Sequence, residues 1–452
     1  MSELNVEANQ PVEALPEAHW SDRAQQRLQQ ARFVGLLMVL GGAGMFVIGS
    51  TLSGLLTSFL ANGGLTLLIT GIVVIAAAMR THGLSPAQPF GPASVTNPRM
   101  WFVLLWGAGI GLVVMLNLVQ PSATTEQILM LIIATPLMVV GGLWILRWIS
   151  GQLARQWPHN TAQLSLQWVP AWTVIWAGVW GLISTFGAFV VEAAPVLLLA
   201  ILAGASFNEV ARTPLSQYES IMRVLHNPVL LIITFLGAVV AAPLIEEAAK
   251  AFGLRWLRPW ITHPTSGWLL GLCAGLGFGM LEGAFNLDST SNWLAGSWVR
   301  LAALLLHGLT TSLTGLGYAR YLQSQRRSDL WRGYGRAVLM HGTWNACAIG
   351  LAVIASAAVL SQNLLFICVG PLAVVGVIVF MILLIRRVSK AGVQTSIQED
   401  LQQAGVPLPL SWRPMKFNFG WRLVGNRPAY AATEAASTSD AGVPQPPDDF
   451  SV

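Results

Sequence analysis

Residues 228–250 read PVLLIITFLGAVVAAPLIEEAAK, an apolar run that ends in two adjacent glutamates and a lysine. A stretch of about 20 apolar residues is long enough to cross a bilayer as a helix. A carboxylate at membrane depth costs several kcal/mol, so such residues are rare and mostly functional. Glu246 and Glu247, with Lys250 one turn further on, therefore predict a membrane helix that carries a charged site.

The composition of the whole chain agrees with this interpretation. Of its 452 residues, 54% are hydrophobic and 10% are charged, and the mean hydropathy is +0.60. Soluble globular proteins carry about 25% charged residues, so this chain cannot cover a water-facing surface. We predict an all-α, polytopic helical membrane protein with about ten transmembrane helices in a lipid bilayer. The net charge of +5 is spread over short loops, and we expect no nucleic-acid partner.

The apolar runs predict ten spans, and the basic residues in the loops between them alternate from one side of the membrane to the other. Because arginine-rich loops stay in the cytoplasm, this alternation places both termini there. The predicted spans are 33–53, 63–79, 100–120, 127–148, 168–190, 228–250, 265–286, 298–320, 335–358 and 364–385.

One apolar segment, residues 193–204, is too short to cross the membrane by itself. We expect it to continue the fifth helix around Pro195, because counting it as a crossing would reverse the side of every later loop. Glu192 and Glu209, on either side of this segment, are expected to be solvated loop charges.

The chain divides into four parts. We predict a cytoplasmic N-terminal tail at 1–31, an N-terminal transmembrane half at 32–227 and a catalytic transmembrane region at 228–387. Residues 388–452 are expected to form a cytoplasmic tail that is largely disordered. The unusual polar residues of the spans all lie between 240 and 350, which makes this region the place to look for chemistry.

The glutamate pair is the first of four motifs in that region. Pro243 favours the opening or the breaking of a helix. Lys250 lies at i+4 from Glu246 and at i+3 from Glu247, so it can pair with either carboxylate. Such pairing keeps one carboxylate ionised, which suits a general base that acts on water. The alternative is a solvated pair at the cytoplasmic interface that orients the span.

The other three motifs follow on the next three spans. Phe278 and Glu282 share one face of the first, His307 lies in the second, and His341 and Asn345 lie one turn apart in the third. Histidine and asparagine can donate hydrogen bonds to a developing oxyanion, and histidine can also bind a metal. Structural alternatives remain for each motif: a carboxylate at a helix end, a satisfied core histidine and an interhelical hydrogen-bonded pair.

The order Glu-Glu-x-x-Lys, Phe-x-x-x-Glu, lone His and His-x-x-x-Asn resembles the PrsW family of intramembrane proteases, a branch of the CAAX prenyl-protease superfamily. The resemblance implies hydrolysis of peptide bonds in membrane-protein substrates, in the plasma membrane of a prokaryote. Carried over residue by residue, Glu246 and Glu247 would activate water, and His307 and His341 would be site residues. Asn345 would help to hold the oxyanion.

The resemblance implies less about the metal. Glu247, His307 and His341 could bind one Zn²⁺, but a glutamate mechanism without metal is slightly preferred. Lys250 and Glu282 are candidates for supporting roles, and Glu282 stands where the prenyl-protease branch has a histidine, which argues against a CAAX substrate. Two other functions remain open: a non-catalytic membrane scaffold or chaperone, and a proton-coupled transporter that uses the carboxylates as a relay.

Overall fold

A computed structural model describes residues 22–51, 55–84, 90, 97–120, 123–156, 169–202, 232, 235–287 and 293–361, and helical positions between 376 and 402. The described part of the chain is helical and contains no strand, which confirms the predicted all-α class. Its long helices are α1 Asp22–Thr51, α2 Leu55–His82, α3 Arg99–Val119, α4 Ala123–Gln156, α5 Ala171–Leu202, α6 Ala242–Phe252, α7 Pro264–Phe285, α8 Trp293–Ser324 and α9 Arg327–Ser361.

Several of these helices are long and apolar enough to cross a membrane. Among the described residues they are Ala24–Ile48, Arg99–Val119, Ile128–Leu153, Ala171–Glu192, Pro264–Phe285 and Gly296–Ser324. The chain is therefore a polytopic helical membrane protein, as predicted. The count of ten spans stays a prediction, because much of the predicted span 364–385 lies outside the described residues.

Helix α5 is longer than the span that the sequence predicted for it. It begins at Ala171 and runs without interruption through Pro195 to Leu202, so the short apolar segment belongs to this helix. Glu192 therefore lies inside α5 and not in a loop, which makes our expectation for this residue wrong. Glu209 lies outside the described residues.

Helix α7 is the central helix of the part that carries the charged residues. It is buried along almost its whole length, because α5 and α8 cover it on two sides. Close packing against α8 requires glycine: a β-carbon at Gly275 would collide with the carbonyl oxygen of His307. This contact brings the backbone of α8 directly against α7 and fixes the height of His307 beside Phe278 and Glu282.

The helix that carries the glutamate pair is broken just before it. A π-helical turn spans Gly237–Ala241, and α6 follows from Ala242 with Pro243 as its second residue. The backbone N–H of Ala242 donates to the carbonyl of Gly237 in the wider π-helical register. Proline has no N–H to continue that register, so the chain returns to α-helical geometry at the turn before the carboxylates.

The far end of α6 is anchored by α5. The indole Nε1 of Trp180 donates to the carbonyl oxygen of Ala249 at 2.9 Å. The same indole packs edge-on against Trp256, with 4.4 Å between ring centroids, and leaves no room for a side chain at Gly253. Helix α6 is thus held from both ends, which limits how far its side chains can move.

A short helix at 392–402 follows the membrane region and packs on it. Val393, Ile397 and Leu401 are buried in the same core cluster as α7 and α8. This helix forms the first described part of the predicted C-terminal tail. Residues 403–452, like residues 1–21, lie outside the described residues.

Candidate active site

Helix α6 turns the charged side chains of two glutamates and one lysine inward, and the lysine bridges the two carboxylates. Glu246, Glu247 and Lys250 are all buried. The ammonium Nζ lies 3.0 Å from Glu246 Oε2, 2.8 Å from Glu247 Oε1 and 2.8 Å from His307 Nδ1. Because an ammonium has three donors and no acceptor, these contacts use all of its hydrogen atoms. The centroid of the Phe278 ring lies 4.0 Å from Nζ and covers the ammonium. One cation thus pairs with both carboxylates.

Glu247 is the more enclosed of the two carboxylates. Besides the bond from Lys250, its Oε1 accepts hydrogen bonds from Thr310 Oγ1 at 2.9 Å and from His341 Nδ1 at 3.0 Å. Its Oε2 accepts one from Thr311 Oγ1 at 3.0 Å. Four donors thus surround a side chain with no exposed surface. Glu247 is placed to hold its neighbours rather than to meet water.

His307 is held between Lys250 and Glu282. Its Nδ1 faces the ammonium of Lys250, which can only donate, so Nδ1 is the unprotonated nitrogen. Its Nε2 lies 2.5 Å from Glu282 Oε2, and Arg300 Nη1 lies 3.5 Å from the other oxygen of that carboxylate. A carboxylate that faces the second nitrogen of an imidazole fixes both its tautomer and its orientation.

His341 has the same arrangement with the two nitrogens exchanged. Its Nδ1 donates to Glu247, so in the neutral ring Nε2 is unprotonated and points toward Glu246. Glu246 Oε2 lies 3.8 Å from His341 Nε2 and 3.8 Å from His307 Nδ1. The two rings meet edge to face with their centroids 4.8 Å apart. The unprotonated nitrogens of two imidazoles thus converge on one carboxylate oxygen.

The described residues include a group that could hold a metal ion, and it contains Glu246. Glu246, His307 and His341 each offer one ligand atom within 4.8 Å of the others, and carboxylate with imidazole suits Zn²⁺. The sequence had placed Glu247 in this group. Lys250, however, already donates to Glu246 Oε2 and to His307 Nδ1. A metal ion bound by these atoms would have to displace the ammonium.

Comparison with known families identifies the region around this cluster. Residues 169–385 match the model of the PrsW family intramembrane metalloproteases. This segment is similar to the PrsW family and is here called the PrsW segment. It is a hydrolase domain of the peptidase type. No curated protein and no solved structure matches the chain.

The PrsW segment begins earlier than the catalytic region that the sequence predicted. It starts at residue 169 and so includes all of α5, whereas the prediction began at 228. Helix α5 contributes the Trp180 bond to the carboxylate helix. The boundary at 228 stays a prediction.

Asn345 lies on α9, one turn after His341, and its amide faces the π-helical turn Gly237–Ala241 that precedes α6. Its Nδ2 donates to the carbonyl oxygen of Ala238 at 2.8 Å. The structure thus gives this side chain a partner on the backbone before α6, in addition to whatever the predicted oxyanion role would require.

Sequence reasoning missed two kinds of site residue in the PrsW segment. Thr310 and Thr311, which bind Glu247, follow His307 by three and four residues on α8, and this helical spacing was the signal available.

Glu192 on α5 is half-buried, and its Oε1 has no hydrogen-bond partner among the described residues. It lies within electrostatic range of Glu246 and Glu282. Its position in an apolar helix was the only hint.

Proposed function

We propose that the protein is an intramembrane endopeptidase that hydrolyses peptide bonds of membrane-protein substrates, with water activated at Glu246. One observation carries the proposal. His307 Nδ1 and His341 Nε2 each lie 3.8 Å from Glu246 Oε2, while the opposite nitrogen of each ring faces another carboxylate. Groups oriented in this way from three helices suit proton transfer to and from one water molecule.

Glu246 is better suited than Glu247 to receive the proton of that water. The side chain of Glu246 is 10% exposed and that of Glu247 is 0% exposed. Glu247 accepts hydrogen bonds from four donors, whereas Lys250 is the donor to Glu246. An oxygen with a vacant lone pair and access to water is the stronger candidate for a general base.

The reaction then needs no group beyond this cluster and water. The water oxygen attacks the carbonyl carbon of the scissile bond while Glu246 takes one of its protons. The carbon–nitrogen bond of the tetrahedral intermediate breaks, and the proton held by Glu246 passes to the leaving amine, either directly or through His341 Nε2. The products are a carboxylic acid, which then loses its proton to the amine or to solvent, and an amine. Glu247 keeps His341 in its tautomer, and Glu282 does the same for His307.

A mechanism without metal fits these contacts better than one with metal. Lys250 already supplies positive charge to Glu246, Glu247 and His307 at 3.0 Å or less. A Zn²⁺ ion held by Glu246, His307 and His341 would supply a Lewis acid and a more acidic water. The matched family is one of metalloproteases, so removal of metal by chelation is the decisive test of this choice.

The proposal is tested with the purified full chain in proteoliposomes. A panel of single-span membrane proteins is co-reconstituted, and cleavage products are identified by mass spectrometry. We expect cleavage by the wild type, and a loss of roughly 10²-fold or more for Glu246→Gln. Glu126→Gln, which changes a carboxylate on α4, is the matched control and should retain activity.

Two other results would contradict the proposal. Partner binding that survives Glu246→Gln, with no cleavage by the wild type of any substrate, would support a scaffold. Proton-coupled uptake into the same vesicles, abolished by Glu246→Gln, would support a transporter.

We also propose the plasma membrane of a prokaryote as its location, with both termini in the cytoplasm. The support is the distribution of basic residues in the sequence, above all the arginines between 320 and 336. Labelling of single cysteines placed in that loop and at each terminus tests the orientation. Labelling of all three from outside intact cells would overturn it.

A further inference from the structure

The carbonyl oxygen of Ala238 has lost both of its possible donors within its own helix. In an α-helix it would accept from the N–H of Ala242, but that N–H donates to Gly237. In the π-helical register it would accept from residue 243, which is proline and has no N–H. Ala238 is half-buried, and a carbonyl shielded from water is costly to leave without a donor, so this group needs a partner from elsewhere.

Helix α9 supplies that partner. Asn345 Nδ2 donates to Ala238 O at 2.8 Å. One turn earlier, α9 has a glycine where it meets the next carbonyl: a β-carbon at Gly342 would lie 2.5 Å from the oxygen of Val239. The motif His-Gly-Thr-Trp-Asn at 341–345 therefore fits the helix break both by hydrogen bonding and by shape.

The same helix also holds α6 beyond the break. His341 Nδ1 bonds Glu247 Oε1, and the Tyr334 hydroxyl donates to the carbonyl of Leu244 at 2.7 Å. Helix α9 is thus bonded to the chain before Pro243 and after it. Because α9 is bonded to the chain on both sides of the break, it sets the direction in which α6 continues after Pro243.

We propose that Asn345 is a positioning residue, which holds the Pro243 break open and so aims the Glu246–Glu247 pair at His341. The expected effect of Asn345 on catalysis rests on the proposed function, whereas its role in holding the helix break does not. This role differs from the oxyanion role that the sequence predicted. It predicts that Asn345 becomes dispensable once Ala238 O has a donor of its own.

A double-mutant cycle on the full-length protein separates the two roles. Pro243→Ala restores an N–H, so Ala238 O regains a helical donor whether the turn stays π-helical or relaxes to α. Pro243→Ser does the same and serves as a second variant. Asn345→Ala, Pro243→Ala and the double variant are compared with the wild type for kcat and for the unfolding midpoint in detergent. Pro136→Ala, at a helix-interior proline of α4, is the matched control.

We expect Asn345→Ala to lower the unfolding midpoint by about 2–6 °C, because it leaves the half-buried carbonyl of Ala238 without a donor. We expect it to lower kcat by about tenfold, since a small misplacement of catalytic groups has effects of this size. Pro243→Ala should recover most of both losses in the Asn345→Ala background. Pro136→Ala should recover neither.

Two results would overturn the inference. If Pro243→Ala restores the midpoint but not kcat, the amide of Asn345 acts on the reaction itself. If neither quantity is coupled between positions 243 and 345, the hydrogen bond does not hold the break. Should the wild type cleave no substrate, the proposed function fails, and the coupling of unfolding midpoints still tests the role of Asn345.

Discussion

His341 Nδ1 lies 3.0 Å from Glu247 Oε1, and this bond decides which nitrogen of the ring is left for chemistry. With its proton directed at Glu247, the ring turns an unprotonated Nε2 toward Glu246, 3.8 Å away. Two adjacent residues of one helix therefore serve the same histidine in different ways. Glu247 orients the ring, and in the proposed reaction Glu246 shares the reacting water with it.

The first prediction follows from this division between the two glutamates. Glu246→Gln should lower kcat by roughly 10²-fold or more but cost less stability than Glu247→Gln, because the Glu246 side chain is 10% exposed and has one donor among the described residues. Glu247→Gln should lower kcat and also the free energy of unfolding, by about 3–5 kcal/mol, because it removes one partner of a buried ion pair.

Turnover and thermal unfolding of both variants in detergent check this prediction. The two variants differ by one position on one helix and make the same chemical change, so each is the control for the other. Equal loss of stability in both would contradict the division of roles.

The second prediction concerns metal removal. Because Lys250 already places a cation at 2.8–3.0 Å from Glu246, Glu247 and His307, exhaustive chelation should leave kcat within about twofold of its starting value. Metal content of the purified protein is measured alongside activity. Loss of turnover on chelation, with recovery on addition of Zn²⁺, would instead assign Glu246, His307 and His341 as ligands.

The membrane character and the charged side chains that cluster around Lys250 could be predicted from the sequence, whereas the different surroundings of the two glutamates could not. Carboxylates and histidines inside apolar runs are visible because they violate the composition around them. Glu246 and Glu247, however, have the same local environment in sequence. What separates them is Thr310 and Thr311, two threonines on a different helix that enclose only Glu247.

The partner of Asn345 could not be predicted for a similar reason. The sequence shows an asparagine one turn after a histidine, and either an oxyanion or a backbone carbonyl could be its partner. The choice depends on the carbonyl of Ala238, which loses its donors because of a proline five residues later. Glu192 was expected to be a solvated loop charge, but α5 continues through this residue and on through Pro195 to Leu202.

The third prediction tests the close contact of α7 and α8. Gly275→Ala should lower the free energy of unfolding by about 1–3 kcal/mol, because the new methyl group meets the carbonyl oxygen of His307. It should also lower kcat, since the helix that carries His307 must shift. Gly335→Ala, at a position on α9 with open space around it, is the matched control.

For Gly335→Ala we expect a small gain of stability, roughly 0.5–1 kcal/mol, from the better helix propensity of alanine. Both variants are compared by thermal unfolding and by kcat. If Gly275→Ala is as stable and as active as Gly335→Ala, the tight approach at His307 has no role in the site.

The fourth prediction is a pH dependence at the C-terminal helix 392–402. Asp400 Oδ1 accepts a hydrogen bond from the backbone N–H of Thr265 at 3.4 Å, and Oδ2 has no partner among the described residues. Burial raises the pKa of Asp400 to about 7 from the ordinary value of 3.8, and the nearby Glu399 adds to the effect. Glu399 itself pairs with Arg320 on α8.

The sign follows from the raised pKa. At a pH below the ordinary value, Asp400 is protonated whether or not the helix is docked, and its burial adds no electrostatic penalty. As the pH rises from about 4 to about 7, the undocked carboxyl ionises while the docked one keeps its proton, so docking weakens progressively. Above about pH 7 the docked carboxylate is charged as well, and the full penalty applies.

Hydrogen–deuterium exchange of residues 392–402 measures this docking. After correction for the intrinsic rate, we expect faster exchange at about pH 8.5 than at about pH 6. The nearby His263, at the N-terminus of α7, has a pKa that burial lowers. Asp400→Asn should show no such pH dependence, and Glu399→Gln, which breaks the Arg320 pair, should weaken docking at both pH values. If exchange in the wild type and in Asp400→Asn rises equally with pH, another group controls the helix.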